Sequence, residues 1–224
     1  MVSWILRTFR SRLPTPMLML FKMLVLPIME YCSVLWSPLD TGSIQRLEQI
    51  QRSFVRKIHY GSGSDYWKRL SDLKLYSLER RRERYRIIYM WKILEGLVPN
   101  VNNKIISVKH ARLGRKCTIP IVKYGRLQKV RAASLTINGA NLFNALPKSV
   151  RNLTGKNVDN FKRALDNFLA KLPDEPLLPG YTQHRRASSN SLIQIIPYHK
   201  QSAVRSYSIS DEERSAGGQQ RTDG

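Results

Sequence analysis

Two segments of this chain carry basic side chains at helical spacing, and basic side chains are the groups that bind phosphate. The first segment is IQRLEQIQRSFVRK and the second is LERRRERYR. Guanidinium and ammonium groups release condensed counterions when they neutralise phosphates, which gives affinity with little sequence preference. The sequence therefore predicts a nucleic-acid-binding surface formed by Arg46, Arg52, Arg56, Lys57, Arg80, Arg81, Arg82, Arg84 and Arg86.

Aromatic residues are interleaved with these basic segments and offer a second mode of contact. Aromatic rings can stack on unpaired bases, but for each of these residues we favour a place in the core or rim of a helical domain. The aromatic residues concerned are Tyr60, Tyr66, Trp67, Tyr76 and Tyr85.

The overall charge supports a polyanionic partner. The 224 residues include 38 Lys and Arg against 16 Asp and Glu, a formal net charge of +22. Plain solubility or nonspecific adhesion is the alternative explanation. Because the basic residues recur along predicted helices as well as in the tail, we favour contact with nucleic acid.

Catalytic groups are not evident. A two-metal polymerase needs closely placed carboxylates, and the sequence contains no Asp-Asp pair. The four histidines do not fall at metal-ligand spacing with Cys32 or Cys117, and no phosphate-binding glycine loop occurs. We therefore predict no catalytic residue, metal site, cofactor or small-molecule substrate in this chain.

Hydrophobic periodicity predicts a mainly α fold in which helices position the basic groups. Residues 1–13 read as the end of a helix. Thr15 is a plausible N-cap for a second helix, with Pro16 at its first position. Met17, Leu20, Leu24 and Ile28 then recur on one face, which Pro27 kinks or ends early.

Two stronger helices follow. Ser43 is the predicted cap of the first, whose apolar stripe is Ile44, Leu47, Ile50, Phe54, Val55 and Ile58. A short helix is predicted around residues 65–73. Ser77 opens the next long helix, which runs to Glu95. Its arginines almost encircle the first two turns, so we expect that end to face solvent or phosphate and the Ile87–Trp91 end to be buried.

The remainder of the chain is predicted to be of mixed structure. Residues 100–138 suggest short strands, Asn138-Gly139 is a turn signal, and helices are predicted over 140–146 and after Asn157. The tail from about Gln183 is rich in Ser, Arg, Gln and Gly, which is typical of disorder. We predict a helical bundle over 1–100, a small mixed α/β part over 101–181 and a disordered tail over 182–224.

A membrane span and a secreted location are both disfavoured. The apolar segment Met17–Leu35 contains Lys22, Pro27 and Glu30, so we expect a buried, kinked core helix and not a span. The two cysteines lie far apart and form no disulfide framework. Cys32 lies among apolar residues and is expected to pack as a small hydrophobe. The expected location is intracellular, in the nucleus or the cytoplasm.

The order of motifs around the first basic helix resembles that of a known family. The segment LVLPIMEYCSVLWSP precedes IQRLEQIQRSF, with Leu24, Pro27, Glu30, Tyr31, Trp36 and Pro38 in the matching places. This order resembles the region just after the catalytic palm in reverse transcriptases of non-LTR (LINE-type, jockey-like) retrotransposons. Residues 66–100, the LFNALPKSVRN segment and the later FKRALDNFL helix resemble the blocks that follow, so the resemblance covers roughly residues 1–181.

The resemblance implies a thumb that grips a template–primer duplex. The full-length family enzyme is an Mg²⁺-dependent RNA-directed DNA polymerase, whereas this chain lacks the endonuclease, finger and palm motifs. We therefore expect a truncated fragment, with Met1 an internal methionine, that binds RNA or an RNA–DNA hybrid without catalysis of its own. Two alternatives stay open: a helical scaffold that docks a protein partner or an anionic membrane surface, and a polymerase completed in trans by a separate palm.

Overall fold

The fold is mainly helical with one small hairpin, as predicted. The computed structural model describes residues 2–9, 13–38, 40–58, 65–99, 105–119, 125–176 and 190–198. Its first helices are α1 (Val2–Thr8), α2 (Pro14–Leu20), α3 (Leu26–Glu30), α4 (Thr41–Lys57), α5 (Tyr66–Asp72) and α6 (Leu78–Leu94). They are followed by β1 (Ser107–His110), β2 (Gly114–Cys117), α7 (Gln128–Ala132), α8 (Ala140–Ala145), α9 (Lys148–Arg151), α10 (Val158–Leu169) and α11 (192–198).

The second helix begins and bends differently from the prediction. It starts at Pro14 with Leu13 at the cap, and no side chain caps it, so the assignment of Thr15 as N-cap is wrong. A π-helical turn, Phe21–Val25, joins α2 to α3 just ahead of Pro27. A wider turn accommodates a proline that has no N–H to donate, which is a common origin of such bulges.

The π-helical turn also changes which face of this segment is buried. Met17, Phe21 and Val25 are buried, whereas Leu24 and Ile28, predicted for the same face, are 36% and 59% exposed. An extra residue in the turn rotates everything after it relative to an α-helical register. Several large apolar side chains are consequently left on the surface: Met19, Met23, Ile28, Tyr31 and Leu35.

The turn after α3 places Cys32 at the surface. Cys32 adopts a positive φ of 52° and is exposed, so the prediction that it packs as a small hydrophobe is wrong. Neighbouring apolar residues in the sequence do not imply burial at a residue that reverses the chain direction.

The caps of the three central helices were predicted in part. Asp40, not Ser43, caps α4, because its carboxylate accepts a hydrogen bond from the Ser43 backbone N–H at 2.9 Å. Asp65 caps α5 and Ser77 caps α6, the latter by accepting from the Arg80 N–H. Helix α6 ends as predicted, with Gly96 at a φ of 72°, a conformation that glycine adopts without strain.

Two hydrophobic clusters meet along α6. The first joins α1, α2, the end of α4 and α5, and includes Phe21 stacked on Phe54 with ring centroids 4.4 Å apart. The second contains Ile87, Ile88, Met90 and Trp91 of α6, as predicted, whereas Tyr89 is only half-buried. It also includes residues of α8, α10 and α11, and Trp91 stacks on Phe161 with ring centroids 4.6 Å apart. Division of the chain into domains at residue 100 stays a prediction.

The C-terminal half contains one antiparallel hairpin, β1–β2, with Val108 opposite Lys116. Asn138-Gly139 is not a chain-reversing turn: a π-helical turn, Leu135–Gly139, leads directly into α8. Glycine is required at position 139 by packing, because a Cβ there would lie 2.8 Å from Met90 Cγ. The predicted strand residues Ile121 and Val122 lie outside the described residues.

Part of the tail is ordered against the core. In α11, Leu192, Ile195 and Ile196 are buried, and Asn190 ahead of it donates to Ser77 Oγ at 2.8 Å. The prediction of disorder is therefore wrong for residues 190–198. The rest of the range 182–224 lies outside the described residues.

Candidate nucleic-acid interface

Helix α4 presents the basic face that its spacing predicts. Arg46, Arg56 and Lys57 are exposed on it. Arg52 is only half-exposed, because its guanidinium lies over the Tyr66 ring, 4.5 Å from the centroid. Three of the four predicted residues are thus directly available to phosphate, and the fourth is held in a cation–π contact.

The arginines of α6 do not form an exposed cluster. Arg80, Arg82 and Arg86 are 0%, 3% and 5% exposed, so the prediction that this end of the helix faces solvent or phosphate is wrong. For Arg80 the physical reason is an ion pair with Asp174, which is far away in the sequence and lets the guanidinium group enter the interior.

Three of these arginines have carboxylate partners from other elements. Arg80 lies 3.4 Å from Asp174 and donates to the carbonyl oxygens of Leu172 and Pro173 at 3.2 and 2.6 Å. Arg81 pairs with Glu30 at the end of α3. Arg84 forms a two-pronged pair with Asp166 of α10, at 2.5 and 2.7 Å. Each of these contacts fixes α6 against a neighbouring segment.

Arg86 differs from these three. Its Nη1 donates to Asn138 Oδ1 at 2.8 Å, and it forms no salt bridge within the described part of the chain. Its Nε is buried and has no hydrogen-bond partner among the described residues. Burial lowers the pKa of Arg86 from its ordinary value. Arg86 is thus a buried cation whose charge no ion pair neutralises.

The aromatic residues mostly serve the interior. Tyr66 is buried, and its hydroxyl donates to Glu48 Oε1 at 2.5 Å. The hydroxyl of Tyr85 donates to Glu30 Oε2 at 2.9 Å. Trp67 and Tyr76 are half-buried, and Tyr60 lies outside the described residues. The core or rim interpretation is therefore confirmed for Tyr66 and Tyr85.

Two internal glutamates have strongly altered acidities. Burial raises the pKa of Glu48 to about 7, although hydrogen bonds from Tyr66 and the Leu78 N–H oppose the shift. Burial and the nearby charge of Glu79 also raise the pKa of Glu83. The Glu83 carboxylate accepts from the Ser191 hydroxyl and the Leu192 N–H, so it holds the start of α11 against α6.

Internal pairing takes carboxylates and arginines out of the exterior in similar numbers. The carboxylates that contact internal partners are Glu30, Glu48, Glu83, Glu95, Asp166 and Asp174. Exposed cations remain on several elements, including Arg46, Arg56, Lys57, Lys68 and Lys74. A surface of this kind attracts polyanions over a distance of about one Debye length.

A groove that the sequence did not predict lies beside the α4 face. It has a volume of about 620 Å³ and runs between the turn after α3, the start of α4, α6 and the segment after α7. We call it the Trp36 groove, after the residues that line it, which include Trp36, Pro38, Ser43, Arg46, Arg86 and Ser134. Trp36 is 41% exposed, and its indole N–H donates to the Tyr31 carbonyl oxygen at 2.6 Å.

Neither a metal site nor a membrane helix occurs in the part of the chain that the structure describes. Among those residues, no three His, Cys, Asp or Glu side chains converge to hold a metal ion. Within the same ranges, every helix is too short or too polar to traverse a bilayer.

Comparisons with models of protein families, with curated proteins and with solved structures found no match. The relation to reverse transcriptases therefore stays a prediction from the motifs of the sequence.

Proposed function

We propose that this chain is the thumb and following region of a non-LTR retrotransposon reverse transcriptase, and that it binds template–primer nucleic acid without catalysing polymerisation itself. The partner is RNA or an RNA–DNA hybrid, bound without sequence preference. The resemblance of the motif order supports the family, and the basic surface supports the binding.

The observation that carries this proposal is the exposed basic face of α4. Arg46, Arg56 and Lys57 are exposed on it. The acidic cap of the same helix, Asp40, accepts from the Ser43 N–H, and hydrogen bonds from Ser43 hold its pKa below the usual range. Asp40 therefore stays ionised and interacts with Arg46, but three exposed cations against this one carboxylate leave the face with an excess of positive charge. Phosphate contacts from it would add affinity through counterion release.

The test is the salt dependence of binding to an RNA–DNA hybrid duplex, followed by fluorescence anisotropy. Each phosphate contact to a B-form duplex contributes about 0.9 to the slope of log K against log salt. Replacing the three exposed α4 cations together (Arg46→Gln, Arg56→Gln, Lys57→Gln) should therefore reduce the slope by about 2.5.

A matched control removes the same charge elsewhere. Lys148, Lys156 and Arg163 are exposed cations away from α4, and the triple Gln variant at these positions should change the slope by less than about 1. Equal effects of the two triple variants would refute the assignment to α4. Undetectable or salt-independent binding by the wild-type chain would refute the proposal itself.

The exposed apolar residues Met19, Met23 and Ile28, next to the exposed Lys22, favour a second candidate function. An apolar face flanked by a cation suits an anionic membrane surface. Sedimentation with phosphatidylserine vesicles separates the two candidates. Recovery with vesicles that competing nucleic acid does not reduce would favour the membrane surface, and recovery that nucleic acid abolishes would favour the proposal above.

A further inference from the structure

The Trp36 groove is lined by a cation that forms no ion pair within the described residues. Arg86 is buried, reaches the groove from α6 and has only the neutral amide of Asn138 as a hydrogen-bond partner in the described structure. Glu83 acts on its charge electrostatically without forming a salt bridge. A buried cation that lacks an ion pair is costly, so an anion in the groove would stabilise it.

A second cation lines the groove at its mouth. Arg46 is exposed at the start of α4 and lines the same cavity as Arg86. The cavity next to it, of about 330 Å³, shares Pro38 and Arg86 but also has Glu79 and Glu83 on its wall. Arg82 lines that cavity as well, so its two glutamates are accompanied by two arginines, whereas the Trp36 groove is lined by Arg46 and Arg86 and by no carboxylate. The Trp36 groove is therefore the more favourable of the two for a phosphate.

The aromatic wall of the groove is positioned in advance. The hydrogen bond from the Trp36 indole to the Tyr31 carbonyl oxygen fixes the ring where it lines the groove, beside Pro38 and Val130. A fixed ring on an apolar wall offers a stacking surface that loses little side-chain entropy on binding, and base–aromatic stacking tolerates any base.

We propose that the Trp36 groove binds one nucleotide of a single-stranded nucleic acid, with its phosphate between Arg46 and Arg86 and its base against the Trp36 indole. The inference rests on the proposed function and extends it to an unpaired strand. A volume of about 620 Å³ falls in the range of small-molecule sites and admits a nucleotide. A base within a duplex is stacked on both faces and cannot reach the ring.

The test compares two oligonucleotides of about ten nucleotides, a length within the site sizes of single-strand binding proteins. One is oligothymidylate and the other is its abasic analogue, which keeps the phosphates. Trp36→Ala should weaken binding of oligothymidylate about tenfold and leave the abasic strand within about twofold. Trp36→Phe, which keeps a ring, should restore most of the affinity.

The arginines give the complementary result. Arg46→Gln and Arg86→Gln should weaken binding of both strands, because both strands carry the phosphate. Because Arg86 is buried, the affinity of Arg86→Gln is interpreted only if its thermal unfolding temperature equals that of the wild type. Arg46 is exposed, so the affinity of Arg46→Gln is interpreted without this condition. Trp4→Ala and Arg163→Gln, at exposed positions outside the groove, are the matched controls.

The inference and the proposed function fail in different ways. The groove does not bind a base if Trp36→Ala changes oligothymidylate binding no more than Trp4→Ala does, or if it weakens binding of both strands equally. In either case, salt-dependent binding of the hybrid duplex would still support the proposed function. If the wild-type chain binds neither the duplex nor the single strand, both are refuted.

Discussion

Replacement of Arg80 tests whether the arginines of α6 are structural or bind phosphate. Arg80 is fully buried, and its guanidinium contacts two backbone carbonyl oxygens and Asp174. Breaking a buried pair costs about 3–5 kcal/mol. We expect Arg80→Ala to cost about 3 kcal/mol, the lower end of that range, because Asp174 keeps its hydrogen bonds from Ser77 and Asn190.

The assay is urea unfolding followed by circular dichroism. Arg163→Ala is the matched control, since Arg163 is exposed, and it should change the free energy of unfolding by less than about 0.5 kcal/mol. A loss below about 1 kcal/mol for Arg80→Ala would contradict the structural role. Lower affinity for nucleic acid at unchanged stability would instead assign Arg80 to phosphate binding.

Two further predictions concern the interior. The pKa of Glu48 is raised from 4.5 to about 7 in the folded state, so between these pH values the folded protein binds more protons than the unfolded chain. The free energy of unfolding of the wild type should therefore fall by about 3 kcal/mol as the pH rises from 4.5 to 7. Glu48→Gln should reduce this fall in urea unfolding, and an unchanged pH profile would contradict the prediction. The Asn144 side chain accepts a hydrogen bond from the Cys117 N–H and donates one to the Cys117 carbonyl oxygen. Asn144→Ala should therefore lower the free energy of unfolding by about 2 kcal/mol in the same assay. Asn160→Ala, at an exposed position, is the control and should lower it by less than about 1 kcal/mol.

Local features of the sequence predicted the central helices well. Ser77 and Asn157 are the N-caps of α6 and α10, at the helix starts that the sequence suggested, because a cap depends on residues within one turn. The same logic gave the wrong residue for α4, where Asp40 and Ser43 are both good caps and only the backbone geometry decides between them.

Non-local contacts account for the larger errors. The ion pair of Arg84 depends on Asp166, which is 82 residues away, and the packing of Leu192 depends on a core built by α6, α8 and α10. Helical periodicity carries no information on such partners. A basic segment with distant counter-charges and a basic segment without them look alike in one sequence.

The candidate site shows the same limit. Spacing alone placed Arg46, Arg56 and Lys57 on one exposed face, because a helix face is a local property. The Trp36 groove is assembled from four separate segments, and only the fold brings Trp36 beside Arg86. Trp36 was already conspicuous in the LWSP motif that carries the family resemblance, but nothing in the motif indicated a binding site.

The internal pairing of the α6 arginines bears on the binding surface that we propose. Because Arg80, Arg81 and Arg84 have carboxylate partners within the protein, they are weaker candidates for phosphate contact than the exposed cations of α4. A chain with a net charge of +22 would bind polyanions anywhere if its charges were evenly spread. The two triple variants of the salt experiment therefore test whether the exposed cations of α4 contribute more to binding than exposed cations elsewhere on the surface.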